Sequence, residues 1–113
     1  VELRCPDPAA NPYLVLAVCL EAGLDGIRNQ ITPPDAVTEN VFEMQLQQRA
    51  KLGIESLPGD LEQAVEELEK DDYIKNVLGG HITEKYLEAK RAEWADYRAQ
   101  VTEWEIEKYL YKI

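Results

Sequence analysis

Glu2 and Arg4 are the residues of this 113-residue chain whose types and spacing suit chemistry. They stand in Val1-Glu2-Leu3-Arg4-Cys5, where apolar and charged residues alternate with the period of a β-strand. Extended geometry sets Glu2 and Arg4 on one side, with Cα atoms about 7 Å apart, and Val1, Leu3 and Cys5 on the other. A carboxylate so placed can hold a hard divalent cation while the guanidinium beside it reaches an anionic substrate. The same spacing also describes an exposed strand face with a weak surface ion pair, worth ~0 to 1 kcal/mol. The residue pattern alone leaves both open.

The other chemically capable residues read more simply as structure. Cys5 and Cys19 lack the close spacing of a metal or redox pair and read as buried free thiols of a reducing compartment. His81 follows Gly79-Gly80 without a Cys, Asp or Glu at a ligand interval, as a residue at a helix start. The acidic run from Asp60 to Asp72 lacks the central Gly and alternating ligands of a calcium loop, so its charges form a solvated helix face. Trp94, Trp104 and the six tyrosines are expected to be packing or rim aromatics.

Elements must position the Glu2-x-Arg4 pair. Pro6-Asp7-Pro8 and Asn11-Pro12 lead into a helix over about 9–29, since Asn or Asp caps a helix and proline fits its first turn. Tyr13 to Leu20 is apolar on every face, which calls for burial all round. Pro33-Pro34-Asp35 opens a loop and the only plausible hinge, followed by a short polar helix over 43–51. Asp60 and Gln63 sit at capping-box spacing ahead of Leu61, Ala64, Val65 and Leu68, and Gly79-Gly80 ends that helical stretch. Ile82, Tyr86, Ala89 and Tyr97 are expected to face inward on a long amphipathic helix. Thr102 and Glu105 form a second capping box, and Ile106, Tyr109, Leu110 and Ile113 recur at helical spacing, an apolar stripe that needs something to lie against.

With 22 acidic against 12 basic residues the formal charge is −10, which argues against nucleic acid and anionic membrane as partners. The longest apolar stretch is far short of the ~20 residues of a membrane span. A chain of this size is expected to bury roughly 60 to 70% of its unfolded surface. It starts without methionine, inside what reads as a strand lacking its neighbours, so it is expected to be the tail of a larger protein. The fold class expected is mainly α with one N-terminal β-strand.

The opening stretch, with Glu21-Ala22-Gly23-Leu24-Asp25-Gly26-Ile27-Arg28, Val41-Phe42-Glu43-Met44, Ser56-Leu57-Pro58-Gly59-Asp60 and Lys90-Arg91-Ala92-Glu93-Trp94, resembles the C-terminal part of the α+β catalytic domain of type I glutamine synthetase. The resemblance covers 1–113 as one unit: an active-site strand at 1–5, a buried helix at 9–29, and a helical region at 60–113 ending in an oligomerisation helix. It implies that Glu2 binds the metal, Mg²⁺ or Mn²⁺, associated with the ATP phosphates, and that Arg4 contacts substrate glutamate. The implied reaction is ATP-dependent joining of ammonia to glutamate through γ-glutamyl phosphate, in the cytoplasm. The other ligands lie upstream, so this piece alone is expected to be inactive.

Phe42 occupies the segment where adenylylated relatives carry tyrosine, and phenylalanine has no hydroxyl to accept a nucleotide. The resemblance therefore implies the non-adenylylated subtype. It also implies two stacked six-membered rings, with Trp104, Ile106, Tyr109, Leu110 and Ile113 at an oligomer interface, and nitrogen-regulatory transcription factors as possible partners of that region. Two rivals remain: a stand-alone helical interaction module built on the same scaffold, and a relative that joins glutamate to another amine.

Overall fold

The computed structural model describes residues 2–110 and 112. Its first helix, α1 (Pro12–Arg28), starts three residues later than the expected 9, at the Asn11-Pro12 entry and not at Asp7: the Asn11 side chain accepts from the N–H groups of Tyr13 at 3.0 Å and Leu14 at 3.4 Å, with Pro12 in the first turn. It ends in a left-handed Gln30, φ 53°, whose neighbour Ile31 donates back to the Gly26 carbonyl at 2.9 Å. After the loop comes a short α2 (Leu46–Lys51), capped by Gln45 and Gln48. Arg49 folds back over it, its Nε and Nη2 donating to the carbonyl of Met44, a residue only 7% exposed.

Three helices then pack together: α3 (Leu61–Lys70), α4 (Asp72–Leu78) and α5 (Gly80–Arg98). Asp60 caps α3 by accepting from the Gln63 N–H at 2.8 Å, while the Gln63 side chain accepts from the Gly59 N–H. Asp71 breaks the run into two helices because its side chain accepts from the Ile74 N–H at 3.0 Å, starting a new helix at once. Gly79, φ 76°, turns the corner into α5. The last element, α6 (Glu103–Glu105), is capped reciprocally by Thr102 and Glu105 and runs on as a π-helical turn over Ile106–Leu110.

Helix α4 is the hub, packed against α1, α3 and α5. The Tyr73 hydroxyl donates to the Glu21 carbonyl of α1 at 2.9 Å, and burial, then the charges of Asp25 and Glu21, hold that phenol above its ordinary value, so it stays a donor. Thr83, buried on α5, donates to the Lys75 carbonyl at 3.2 Å, and Arg91 pairs with Glu69 to tie α5 to α3.

Three expectations need correcting. No β-strand occurs among the described residues: Glu2 to Cys5 is irregular, because no second extended segment offers its backbone groups a ladder. On α5 the inward side is turned, with Thr83 buried and Tyr86, Leu87 and Trp94 half-buried while Tyr97 is 66% exposed. The burial estimate also fails. A compact protein of 12.9 kDa exposes about 6,300 Å², whereas this chain exposes 10151 Å², so only about 46% of the unfolded surface is covered. Its radius of gyration is 18.3 Å against about 13 Å for a compact domain of this length. Helix α1 accordingly has no buried residue, although Tyr13 to Leu20 is apolar on every face.

Candidate functional site

An Asx turn anchors the candidate pair to the start of α1: Asp7 Oδ1 accepts from the Ala9 N–H at 2.7 Å, and the Asp7 carbonyl from Ala10 at 2.9 Å. Ahead of it the chain is irregular, and Glu2 and Arg4 meet without a sheet. Arg4 Nε donates to Glu2 Oε1 at 2.7 Å, so both side chains lie on one side, 85% and 71% exposed respectively. Leu3 and Cys5 line a cleft of about 380 Å³, whose walls include Leu14, Val18, Leu68 and Leu78. Leu3, 56% exposed, and the exposed Cys5 border this cleft without being buried in it.

The guanidinium holds Glu2 through Nε alone, and no hydrogen bond of Nη1 or Nη2 is found among the described residues. That edge can grip a carboxylate or phosphate in two-pronged fashion. The Glu2 carboxylate, aligned by Arg4 and open to solvent, is an acceptor that can ligate a hard cation. No group of three or more His, Cys, Asp or Glu converges on a metal point among the described residues.

Beyond Cys5 lies a second hollow, about 600 Å³, bordered by Asp7, Asp60, Lys90 and Glu93. Lys90 Nζ donates to Glu93 Oε2 at 2.6 Å, and that bond foremost raises the ammonium above its ordinary value, so it stays charged. The pairing leaves the hollow without a free charge of either sign from these two groups. His81 is exposed on the first turn of α5, and Cys5 and Cys19 are free thiols but not buried as expected: Cys5 is exposed because the irregular opening segment has no element over it, and Cys19 is half-buried.

The remaining sequence candidates are scattered. Phe42 sits in a turn, 96% exposed, its N–H donating to Asn40 Oδ1 at 3.2 Å. Trp104 and Tyr109 meet edge to face at 5.9 Å, and with Leu110 they are more than half exposed. Ile106 is 38% exposed, and Ile113 lies outside the described residues. Sequence reasoning missed the contacts that hold the cleft's back wall: Tyr73 on Glu21, Thr83 on Lys75 and Arg91 on Glu69. Each joins residues on different helices, for which local spacing carries no signal.

The family model described as "Glutamine synthetase, catalytic domain" matches residues 1–109. This chain belongs to the glutamine synthetase family. It is 51% identical to a glutamine synthetase of Clostridium saccharobutylicum over 112 residues, covering 99% of the chain and 25% of that protein. It is 52% identical to one from Thermotoga maritima over 111 residues, covering 98% and 25%. Among solved structures it matches a chain described as "Apo GmaS without ligand" with a TM-score of 0.79 and 41% identity, covering 96% of this chain and 25% of that one. The chain thus spans about a quarter of the length of the glutamine synthetases it matches. Glutamine synthetases are ligases by family, and no helix among the described residues is long and apolar enough to cross a membrane.

Proposed function

We propose that this chain is the C-terminal quarter of a glutamine synthetase that joins ammonia to glutamate at the expense of ATP, through γ-glutamyl phosphate, and that it is inactive alone. What supports this is coverage: about half the residues are identical over nearly the whole chain, yet only a quarter of each relative is spanned. The part present brings one carboxylate and one guanidinium to a site whose other walls belong to the remaining three quarters.

Glu2 supplies one oxygen to a divalent cation, Mg²⁺ or Mn²⁺, which takes about six oxygen ligands and so needs further donors. When bound, that cation neutralises charge on the ATP phosphates. Arg4 orients the substrate: its Nη edge takes a glutamate carboxylate while Nε stays on Glu2, so the two ligands are set side by side before reaction. In phosphoryl transfer such positioning and electrostatics supply most of the acceleration.

Phe42, lacking a hydroxyl, makes this a subtype without adenylylation at that position. The exposed face of Trp104, Ile106, Tyr109 and Leu110 serves assembly into stacked rings, and the protein works in the cytoplasm. The test is made in the complete enzyme. Glu2→Ala and Arg4→Ala should each lower kcat/KM by about 100-fold or more, with Arg4→Ala also raising the KM for glutamate, and both should leave the oligomer intact. Near-normal activity in both variants refutes the assignment. Running the same assay with ammonia and with a primary amine identifies the acceptor.

A further inference from the structure

Two cavities lie between the opening segment and one side of α5. Cys5 borders both: the apolar cleft, which it shares with Leu3, and the larger hollow, which it shares with Asp7. Tyr86 borders both as well. Lys90, one helical turn on, and Glu93 beyond it stand on the same side of α5 and border the hollow.

The Lys90 side chain is 29% exposed, its Nζ lies 5.8 Å from the centroid of the Tyr86 ring, and it donates to Glu93 Oε2 at 2.6 Å. An ammonium has three N–H groups, and no hydrogen bond of the other two is found among the described residues. On the far wall of the hollow is Asp7, whose Oδ1 is taken by the Ala9 N–H, while no bond to Oδ2 is found among the described residues. The Glu93 bond foremost raises the ammonium above its ordinary value, and the charge of Asp7 adds a smaller rise. The two groups therefore attract each other without a direct hydrogen bond.

A pull on Asp7 reaches the site through stiff backbone. Pro6 and Pro8 fix φ on either side of it, and a residue that precedes proline is restricted too, so the run from Cys5 to Pro8 has little freedom. Arg4 is joined directly to that run. Where a guanidinium and a carboxylate must meet their ligands together, a misplacement of about 1 Å can cost about 100-fold in rate.

We propose that Lys90 is a positioning residue of the synthetase site: its ammonium, steadied by Glu93 and the Tyr86 ring, holds Asp7 and thereby the direction of the segment that carries Glu2 and Arg4. This rests on the roles given to Glu2 and Arg4 above.

The test is made in the complete enzyme, reading glutamine formation, melting temperature and hydrogen exchange of the Ala9 and Ala10 amides, which donate to Asp7. Lys90→Met keeps an unbranched side chain without its charge, and Asp7→Asn keeps the acceptor of the Asx turn without its charge. Each should raise the KM for glutamate about 10-fold and quicken exchange at Ala9 and Ala10 several-fold, with melting little changed. Lys90→Arg should do neither. The double variant should lose no more than either single one, because removing one partner already breaks the pair, so additive losses overturn the proposal. Glu93→Gln matching Lys90→Met while Asp7→Asn is silent confines Lys90 to α5 and overturns it. Lowered melting in Lys90→Met that Lys90→Arg does not rescue marks a structural role only and overturns it as well. A wild-type KM in Lys90→Met, where Arg4→Ala is impaired, does the same. Exchange separates this claim from the site assignment: quickened exchange beside a fully active Arg4→Ala enzyme supports the hold of Lys90 on Asp7 and refutes the role of Arg4, whereas unchanged exchange overturns that hold whatever Arg4→Ala does.

Discussion

Gly79→Ala isolates a backbone effect from every other source of stability. Gly79 sits at φ 76° and ψ 156°, a region open essentially to glycine alone. Its N–H donates to the Lys75 carbonyl at 2.9 Å and its carbonyl accepts from the Thr83 N–H at 3.0 Å, so the last turn of α4 and the first of α5 both depend on that geometry. A Cβ at this position meets nothing within 4 Å, so neighbours contribute no collision and the cost is conformational, about 1 to 3 kcal/mol. Gly80 is the internal contrast. It also faces open space but lies in the first turn of α5 without a positive φ, so Gly80→Ala should stabilise by up to about 1 kcal/mol. Urea titrations followed by far-UV circular dichroism should show the midpoint of Gly79→Ala falling by about 1 M or more and that of Gly80→Ala rising. Equal shifts of the same sign in the two variants would refute the reasoning. The corner matters to the site because it carries Thr83 onto α4, which backs the cleft that Leu3 and Cys5 border.

Tyr73→Phe removes the hydroxyl bond to the Glu21 carbonyl and should cost about 0.5 to 1.5 kcal/mol in the same titration; an unchanged midpoint would show that α1 is held to α4 by apolar contact alone. The α6 cap should be acid-sensitive. The backbone N–H of Thr102, and next its hydroxyl, hold the Glu105 carboxylate below its ordinary 4.5, so its contribution is fully present above that value and is lost as pH falls through the lower folded pKa. Trp104 fluorescence in a Trp94→Phe background should report that loss below pH 4.5, and Glu105→Gln should abolish the pH dependence; a transition centred near neutrality would contradict it.

Much of this fold is legible because its signals are local. Asn11-Pro12, Asp60 and Thr102 with Glu105 each satisfy orphan N–H groups within a few residues, so spacing alone locates the helix starts. The same holds for the contact of Arg4 with Glu2, which spans only two positions. The break at Asp71 was harder to see, because an uninterrupted apolar pattern crosses it while its carboxylate caps a fresh helix. The turned face of α5 was not legible at all. Its orientation is set by Gly79 and by where α3 and α4 lie, and Thr83 is buried because its hydroxyl finds the Lys75 carbonyl there. A strand at Glu2 to Cys5 fails for a related reason: alternation describes one strand's side chains, but a ladder needs a second backbone.

The amino-acid order by itself determined the family, most of the helix caps and the pairing of a carboxylate with a guanidinium, since these rest on residue identity and on interactions spanning only a few positions. Tertiary structure alone decided which sides of those helices are covered. Covering depends on elements far apart in the chain, and here α4 occupies one side of α1 while Tyr13, Leu16, Leu20 and Ile27 stay exposed on the other.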